Sequence, residues 1–267
     1  MSILEKIIAQ KRIDVEKAKR ICSVQGLLDM PLNARKANSF TDALRKKGSS
    51  GIIAEIKRRS PSKGEFMKDI SVEVIASGYE KAGAAAISVL TDSSFSGGSL
   101  DDLKAARAVS QCPILRKDFI IDEYQIYEAK AHGADAILLI AAVLEDGEIE
   151  YLTGVAKAQG LEVLLEIHSK MELEHKFCEF VDMIGINNRN LGTFAVDVNL
   201  SISLAGDIPE SFVKVSESGI GDPETVLRLR NGGFAGFLIG ETFMKTGQPE
   251  KACEEFISAL RSAGGHS

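Results

Sequence analysis

The sequence predicts an α/β protein folded as one (β/α)8 TIM barrel behind a helical extension, on three observations. Eight short runs rich in Ile, Val, Leu or Phe recur after residue 51, helix-like stretches separate them, and no Gly-rich nucleotide turn follows the first run. The runs, at 52–57, 85–91, 113–117, 136–141, 162–167, 183–187, 213–217 and 236–240, each have the length of a buried strand. Their apolar character is continuous rather than alternating, which means burial on both faces and therefore a parallel sheet covered by helices. Between them stand VEVIASGYEKAG, LDDLKAARAV, EYQIYEAKAHG, IEYLTGVAKAQG, KMELEHKFCEF and PETVLRLRNGG, several closing on the Gly expected just past a helix end. A doubly wound open sheet would announce a nucleotide by GxGxxG or a Walker sequence. Here the first run leads into RRSPSKG, so the closed barrel is preferred.

Ahead of the first run, Ile3, Leu4, Ile7, Ile8, Val15 and Ala18 recur at helical spacing among charges, which reads as an amphipathic helix. The expected organisation is a single barrel domain over 1–267, with 1–50 as its N-terminal helical extension. At 267 residues the chain is within the range of one barrel.

Composition excludes several classes of function. The chain is 45% hydrophobic and 26% charged, with mean hydropathy near zero, the balance of a soluble protein with a sizeable core. A net charge of −6 opposes attraction to phosphate backbones, and KRRS at 57–60 is too short for a nucleic-acid arm, so no nucleic-acid partner is expected. Charges interrupt every apolar stretch of MSILEKIIAQKRIDVEKAKR, so neither a signal peptide nor a membrane partner is expected and a cytoplasmic setting follows. Cys22, Cys112, Cys178 and Cys253 show no CxxC spacing, and read as small buried thiols rather than a metal site or redox pair.

Chemistry in such barrels sits at the C-terminal ends of the strands. The polar residues there are Glu55 and Lys57, Lys117, Glu166, Asn187 and Arg189, Glu217 and Ser218, and Gly240. Glu55 and Lys57 are two apart on one strand and share a face, which brings an acid and a base into one pocket; an ion pair closing the barrel's upper layer is the plain alternative. Lys117 in PILRKDF and Glu166 in EVLLEIH end apolar runs, where an unpaired buried charge would be costly. Asn187 and Arg189, again two apart, suit an anionic, oxygen-rich ligand, whereas Asn188 and Asn190 are accounted for by turn chemistry. In VSESGIGDPE and GFLIGETFM, Gly219, Gly221 and Gly240 permit close approach of backbone N–H groups to a phosphate. Asp222-Pro223 reads as a helix cap. Phe95 and Phe119, just past strand ends, are placed to flank a ring-bearing substrate or to anchor their loops. His168 reads as an ordinary polar contact and is set aside.

Assembled in order, AEIKRRSPSKG, ISVLTD, PILRKDFIIDEYQI, LLEIH, IGINNRNL, VSESGI and GFLIGETFM resemble indole-3-glycerol-phosphate synthases along nearly the whole chain, the helical extension included. The resemblance implies a phosphorylated small-molecule substrate, 1-(2-carboxyphenylamino)-1-deoxyribulose 5-phosphate, cyclised with loss of carbon dioxide and water in tryptophan biosynthesis, with no cofactor and no metal. It implies Lys117 as the general acid that protonates the ketose carbonyl, a role that calls for a lowered lysine pKa. It gives Glu166, Glu55 and Lys57 the dehydration collectively and places Asn187, Arg189, Glu217 and Ser218 along the pocket. Ser60, Gly219 and Gly240 fall at the phosphate end, where Glu241 helps only through its backbone N–H with its carboxylate turned away. Association with other enzymes of the pathway is compatible with this reading. The competing readings are a phosphoribosylanthranilate isomerase-like barrel, which would need a Cys and an Asp as its acid–base pair, and a catalytically silent phosphate-binding barrel.

Overall fold

The computed structural model describes residues 2–60, 64–67 and 70–264. Its eight main strands are β1 (Ile52–Ile56), β2 (Ala86–Leu90), β3 (Ile114–Lys117), β4 (Ala136–Ile140), β5 (Glu162–Ile167), β6 (Met183–Asn187), β7 (Val213–Glu217) and β8 (Gly236–Ile239). Every neighbouring pair is parallel, and β8 returns to β1 through Ile53 opposite Leu238, which closes the barrel. The expected runs therefore correspond to strands with ends shifted by no more than about a residue or two, within the usual ambiguity of element boundaries.

Each strand is buried on both faces because it separates two cores. Alternate residues such as Ile53, Leu115, Leu138, Leu164 and Val215 fill the barrel interior together with Phe40 and Leu44 of the helix Phe40–Arg45, which plugs the N-terminal end. The intervening residues, among them Ile87, Ile137, Leu165 and Ile184, pack outward against the surrounding helices. Most helices start on a polar cap: the side chains of Ser71, Ser99, Asp122, Ser169 and Asp222 each accept a hydrogen bond from a backbone N–H of the first turn. Pro223 follows Asp222 at the first helical position, as the sequence implies. The stretch at 170–180 is helical only over Lys170–His175, because the chain turns beyond it to bury Cys178 beside Thr153. All four cysteines are free, and no metal-ligating cluster occurs among the described residues. No helix among them is long and apolar enough to cross a membrane.

The extension does more than precede the barrel. Its first helix, α1 (Ile3–Ile21), begins in a capping box between Ser2 and Glu5. Ile3, Ile7, Lys11 and Val15 stand four apart and so form one stripe facing the barrel. Lys11 is 5% exposed and its Nζ lies 2.7 Å from both Asp92 and Asp118, in the loops after β2 and β3. Arg116, outward-facing on β3, completes the cluster through Asp118, Thr91 and Glu128.

Burial alone would lower the Lys11 pKa, but the charges of Asp118 and Asp92 outweigh it and raise it. For Asp118, burial acts upward and is overcome by Arg116 and Lys11, so its pKa falls. Asp118 therefore contributes stability above its unfolded pKa, about 4, and loses it as pH drops further. Lys11 contributes below about 10.5 and loses it as pH rises through its higher folded value. Lys11→Met is expected to destabilise the fold by about 3–5 kcal/mol at pH 7 by leaving buried carboxylate unpaired. Denaturant titrations at pH 7 and pH 3 check this: the deficit is expected to shrink at pH 3.

Candidate active site

A cavity of about 670 Å³ opens at the C-terminal end of the barrel. Strand register sets its floor. Glu55 near the end of β1, Lys117 ending β3, Glu166 on β5, Asn187 ending β6 and Glu217 ending β7 are neighbours in space although far apart in sequence.

Two ammonium groups are held among three carboxylates. Lys57 Nζ is 2.6 Å from Glu55 Oε1 and 5.5 Å from the centre of the Phe66 ring, a cation–π contact. Lys117 Nζ is 2.8 Å from Glu166 Oε2 and 3.4 Å from Glu217 Oε2. Desolvation alone would lower the Lys117 pKa, but Glu166, Glu217 and Glu55 reverse the effect and hold it well above the usual lysine range. The lowered pKa expected for an acid is thus not found here: the charges of three carboxylates hold the proton on Lys117. Glu166 and Glu217 divide in opposite directions. For Glu166, burial acts upward but Lys117 and His168 win, and it stays ionised far below the carboxylate range. Glu217 moves the other way and is pushed up to about 8, by burial first and by the Glu166 charge, against the opposing pull of Lys117. Neighbouring carboxylates with separated pKa values are the pattern of an acid–base site.

Two glycines make room for these carboxylates. A Cβ on Gly185 of β6 would lie 2.4 Å from Glu217 Oε1, and one on Gly240 would lie 2.3 Å from Glu55 Oε1.

The far wall is built from the loops after β7 and β8, where Ser218, Gly219, Gly221, Gly240, Glu241, Thr242 and Lys245 line the cavity together with Ser60. Ser218 and Gly219 both have left-handed backbone, with φ of 67° and 78°. For Ser218 that conformation costs roughly 1–2 kcal/mol, which the Asn188 side chain offsets by donating to the Ser218 carbonyl. Thr242 Oγ1 donates to the Ile220 carbonyl and ties the two loops together. Arg189 Nη2 lies 3.1 Å from Glu241 Oε2, so the Glu241 carboxylate is engaged with a guanidinium beside the glycines.

Most of the residues expected from sequence are brought together. Glu55, Lys57, Ser60, Lys117, Phe119, Asn187, Arg189, Glu217, Ser218, Gly219, Gly240 and Glu241 line the cavity, and Glu166 stands behind Lys117. Phe95 does not line it: its loop is folded back on Asp92, which accepts from the Phe95 N–H at 2.6 Å. Sequence reasoning missed the apolar wall of Ile3, Leu4 and Ile7 from α1, with Leu191, Phe194 and Val196 beside it. The signal was the cluster of apolar residues at the very start of α1. It also passed over His168, whose Nε2 is 3.2 Å from Glu166 Oε1; its place two residues after Glu166, just past the end of β5, was the available clue.

The site is thus a mouth with fixed charges at one end, glycine backbone at the other and an apolar roof. Known folds and sequences agree with it. Solved structures of similar fold include a thiamine phosphate pyrophosphorylase from Pyrococcus furiosus, at TM-score 0.56 and 17% identity over 79% of this chain and 95% of that one. A mutant tryptophan synthase α-subunit from Pyrococcus furiosus aligns at TM-score 0.59 and 14% identity, over 80% of this chain and 98% of its own. These likenesses bear on the barrel alone. Similarity in sequence is far higher: indole-3-glycerol phosphate synthase of Bacteroides thetaiotaomicron is 53% identical over 97% of this chain and 99% of its own length. The protein of that name from Carboxydothermus hydrogenoformans is 43% identical over 96% and 99%. The family model for indole-3-glycerol phosphate synthase matches residues 4–256, and the chain belongs to that family.

Proposed function

We propose that this barrel closes the indole ring of 1-(2-carboxyphenylamino)-1-deoxyribulose 5-phosphate, releasing carbon dioxide and water to give indole-3-glycerol phosphate, as a carboxy-lyase of tryptophan biosynthesis. The observation that carries the division of labour is the Lys117 ammonium held between Glu166 and Glu217 at the cavity floor, with the glycine-lined loops after β7 and β8 forming another wall. A phosphate seated on the N–H groups near Gly219, Gly240 and Glu241 orients the sugar chain toward Lys117.

Lys117 then donates its proton to the ketose oxygen as the ring carbon attacks. Glu166, kept ionised, takes a proton from the methylene carbon during dehydration, and Lys57 with Glu55 assists the departing hydroxide. Glu217, which burial and the Glu166 charge push upward, takes up a proton more readily than Glu166 and, once protonated, offers a hydrogen bond to an oxygen instead of repelling an anion. Arg189 and Asn187 face the substrate carboxylate; Arg189 does so by sharing its guanidinium with Glu241. The apolar roof of Ile3, Leu4, Ile7 and Phe119 suits the aromatic ring.

Against an isomerase of the Cys–Asp type, none of the four cysteines is among the cavity's described lining residues. The same free thiols support a reducing, cytoplasmic setting. The test is turnover of the synthetic substrate, followed by indole fluorescence: a silent barrel would bind it without converting it.

A further inference from the structure

The reaction proposed above sets a proton balance that the cavity alone does not satisfy. Ring closure replaces the bond between ring carbon and carboxylate by a bond to the former carbonyl carbon, and the carboxylate leaves as carbon dioxide with no proton to give. The carbonyl oxygen leaves as water and needs two protons. One comes from the methylene carbon beside the nitrogen. The other, the one Lys117 gives to the carbonyl oxygen at ring closure, is taken from solvent once per turnover, while the methylene proton that Glu166 removes in the later dehydration balances the one given to the departing hydroxide. Lys117 meets solvent through the very cavity that the substrate fills.

A second path leads from Lys117 in the opposite direction. Glu166, 2% exposed, touches Lys117 with Oε2 at 2.8 Å and His168 with Oε1 at 3.2 Å. His168 Nδ1 lies 3.4 Å from Glu172 Oε2, and the Glu172 side chain, in the first turn of the helix Lys170–His175, is 20% exposed. Charges alternate along the row: ammonium, carboxylate, imidazolium, carboxylate. The His168 backbone N–H donates to Glu172 at 2.7 Å, which fixes the outer carboxylate against the ring. Both ring nitrogens are buried, and each faces one carboxylate, Nε2 toward Glu166 and Nδ1 toward Glu172. Glu217 offers no such exit, since its Oε1 is buried without a partner.

We propose that Lys117, Glu166, His168 and Glu172 form a proton inlet that recharges Lys117 from the protein surface while substrate covers the barrel mouth. When Lys117 gives up its proton, the charge that holds Glu166 ionised disappears. His168 Nε2 then passes a proton to Glu166 Oε1, and His168 Nδ1 is replenished from solvent through Glu172. A half-turn of the Glu166 carboxyl about its Cγ–Cδ bond presents the proton to Lys117 Nζ, restoring the starting charges. Burial alone would lower the His168 pKa, but Glu166 and Glu172 raise it to about 10, so the relay is loaded at neutral pH. His168 and Glu172 are thus positioning and relay residues, not groups that touch substrate.

The inlet rests on the ring-closure reading, and the experiment separates the two. The unaltered enzyme, His168→Gln and Glu172→Gln are compared for kcat, KM, solvent deuterium isotope effect on kcat, and response to added imidazole. Expected for His168→Gln is a loss of kcat on the order of 10- to 100-fold with KM within about twofold, a larger isotope effect, and partial restoration by imidazole, a carrier small enough to enter the gap. Glu172→Gln, at the exposed end, is expected to raise the isotope effect with a smaller loss of kcat. A structural role for His168 would move KM and thermal stability and would not respond to imidazole, and that result overturns the inlet. So does an unchanged isotope effect in Glu172→Gln, which stands even if His168→Gln fails to fold. Absence of turnover by the unaltered enzyme overturns the ring-closure reading and the inlet with it, whereas full turnover by both variants overturns the inlet alone.

Discussion

Lys117→Ala is expected to abolish ring closure while leaving binding of the phosphate end largely intact. The substitution removes the ammonium group that ion-pairs with both Glu166 and Glu217. A positioned general acid is worth about 10²- to 10⁴-fold in rate, and here its loss also leaves two facing carboxylates. These respond by sharing a proton, as like charges at close range do, so the barrel survives the change and the loss falls on chemistry. The phosphate end is carried by Ser218, Gly219 and Gly240 on other loops and is not rearranged. Steady-state kcat together with calorimetric affinity for indole-3-glycerol phosphate checks both halves. Near-normal turnover would remove Lys117 from the acid role.

Gly240→Ala is expected to cost about 100-fold in kcat/KM with little change in the global fold. Gly240 has a negative φ of −127°, so an alanine there is not forced into left-handed backbone. The conflict is spatial: the new Cβ would fall 2.3 Å from Glu55 Oε1 and 3.0 Å from the Glu55 Cβ and Cδ. Glu55 has to swing away, breaking its 2.6 Å contact with Lys57, and the added methyl also stands where the backbone approaches the phosphate. Both KM and kcat are expected to change, because one glycine serves both ends of the cavity. A steady-state comparison with Gly247→Ala supplies a control: Gly247 has open space around its Cβ position, and its positive φ of 74° makes that variant less stable without touching the mouth. A Gly240→Ala enzyme as active as the unaltered one would show that Glu55 need not sit where the structure has it.

The barrel was legible because its signal is local. Continuous apolar runs such as AILLI at 136–140 and polar residues at strand ends such as Lys117 are visible within a few positions. The floor of the site followed from two-residue spacings, Glu55 with Lys57 and Asn187 with Arg189, that share a strand face. What was not legible depends on contacts between distant segments. Lys11 looks like any charge on an amphipathic helix until Asp92 and Asp118 are found 2.7 Å away. Phe95 has the position of a substrate clamp, yet Asp92 draws its loop back. The upward direction of the Lys117 shift was hidden for the same reason: burial was visible in the sequence, but the convergence of three carboxylates from three other strands was not.

The most direct measurement is a fluorescence assay of the purified protein with 1-(2-carboxyphenylamino)-1-deoxyribulose 5-phosphate, for which the absence of tryptophan from the chain leaves a clear indole window. The result expected is a saturable rise of indole fluorescence with carbon dioxide released in equal amount. Protection of the folded protein from heat by the substrate, with no indole formed, would contradict it and leave a binding barrel in place of an enzyme.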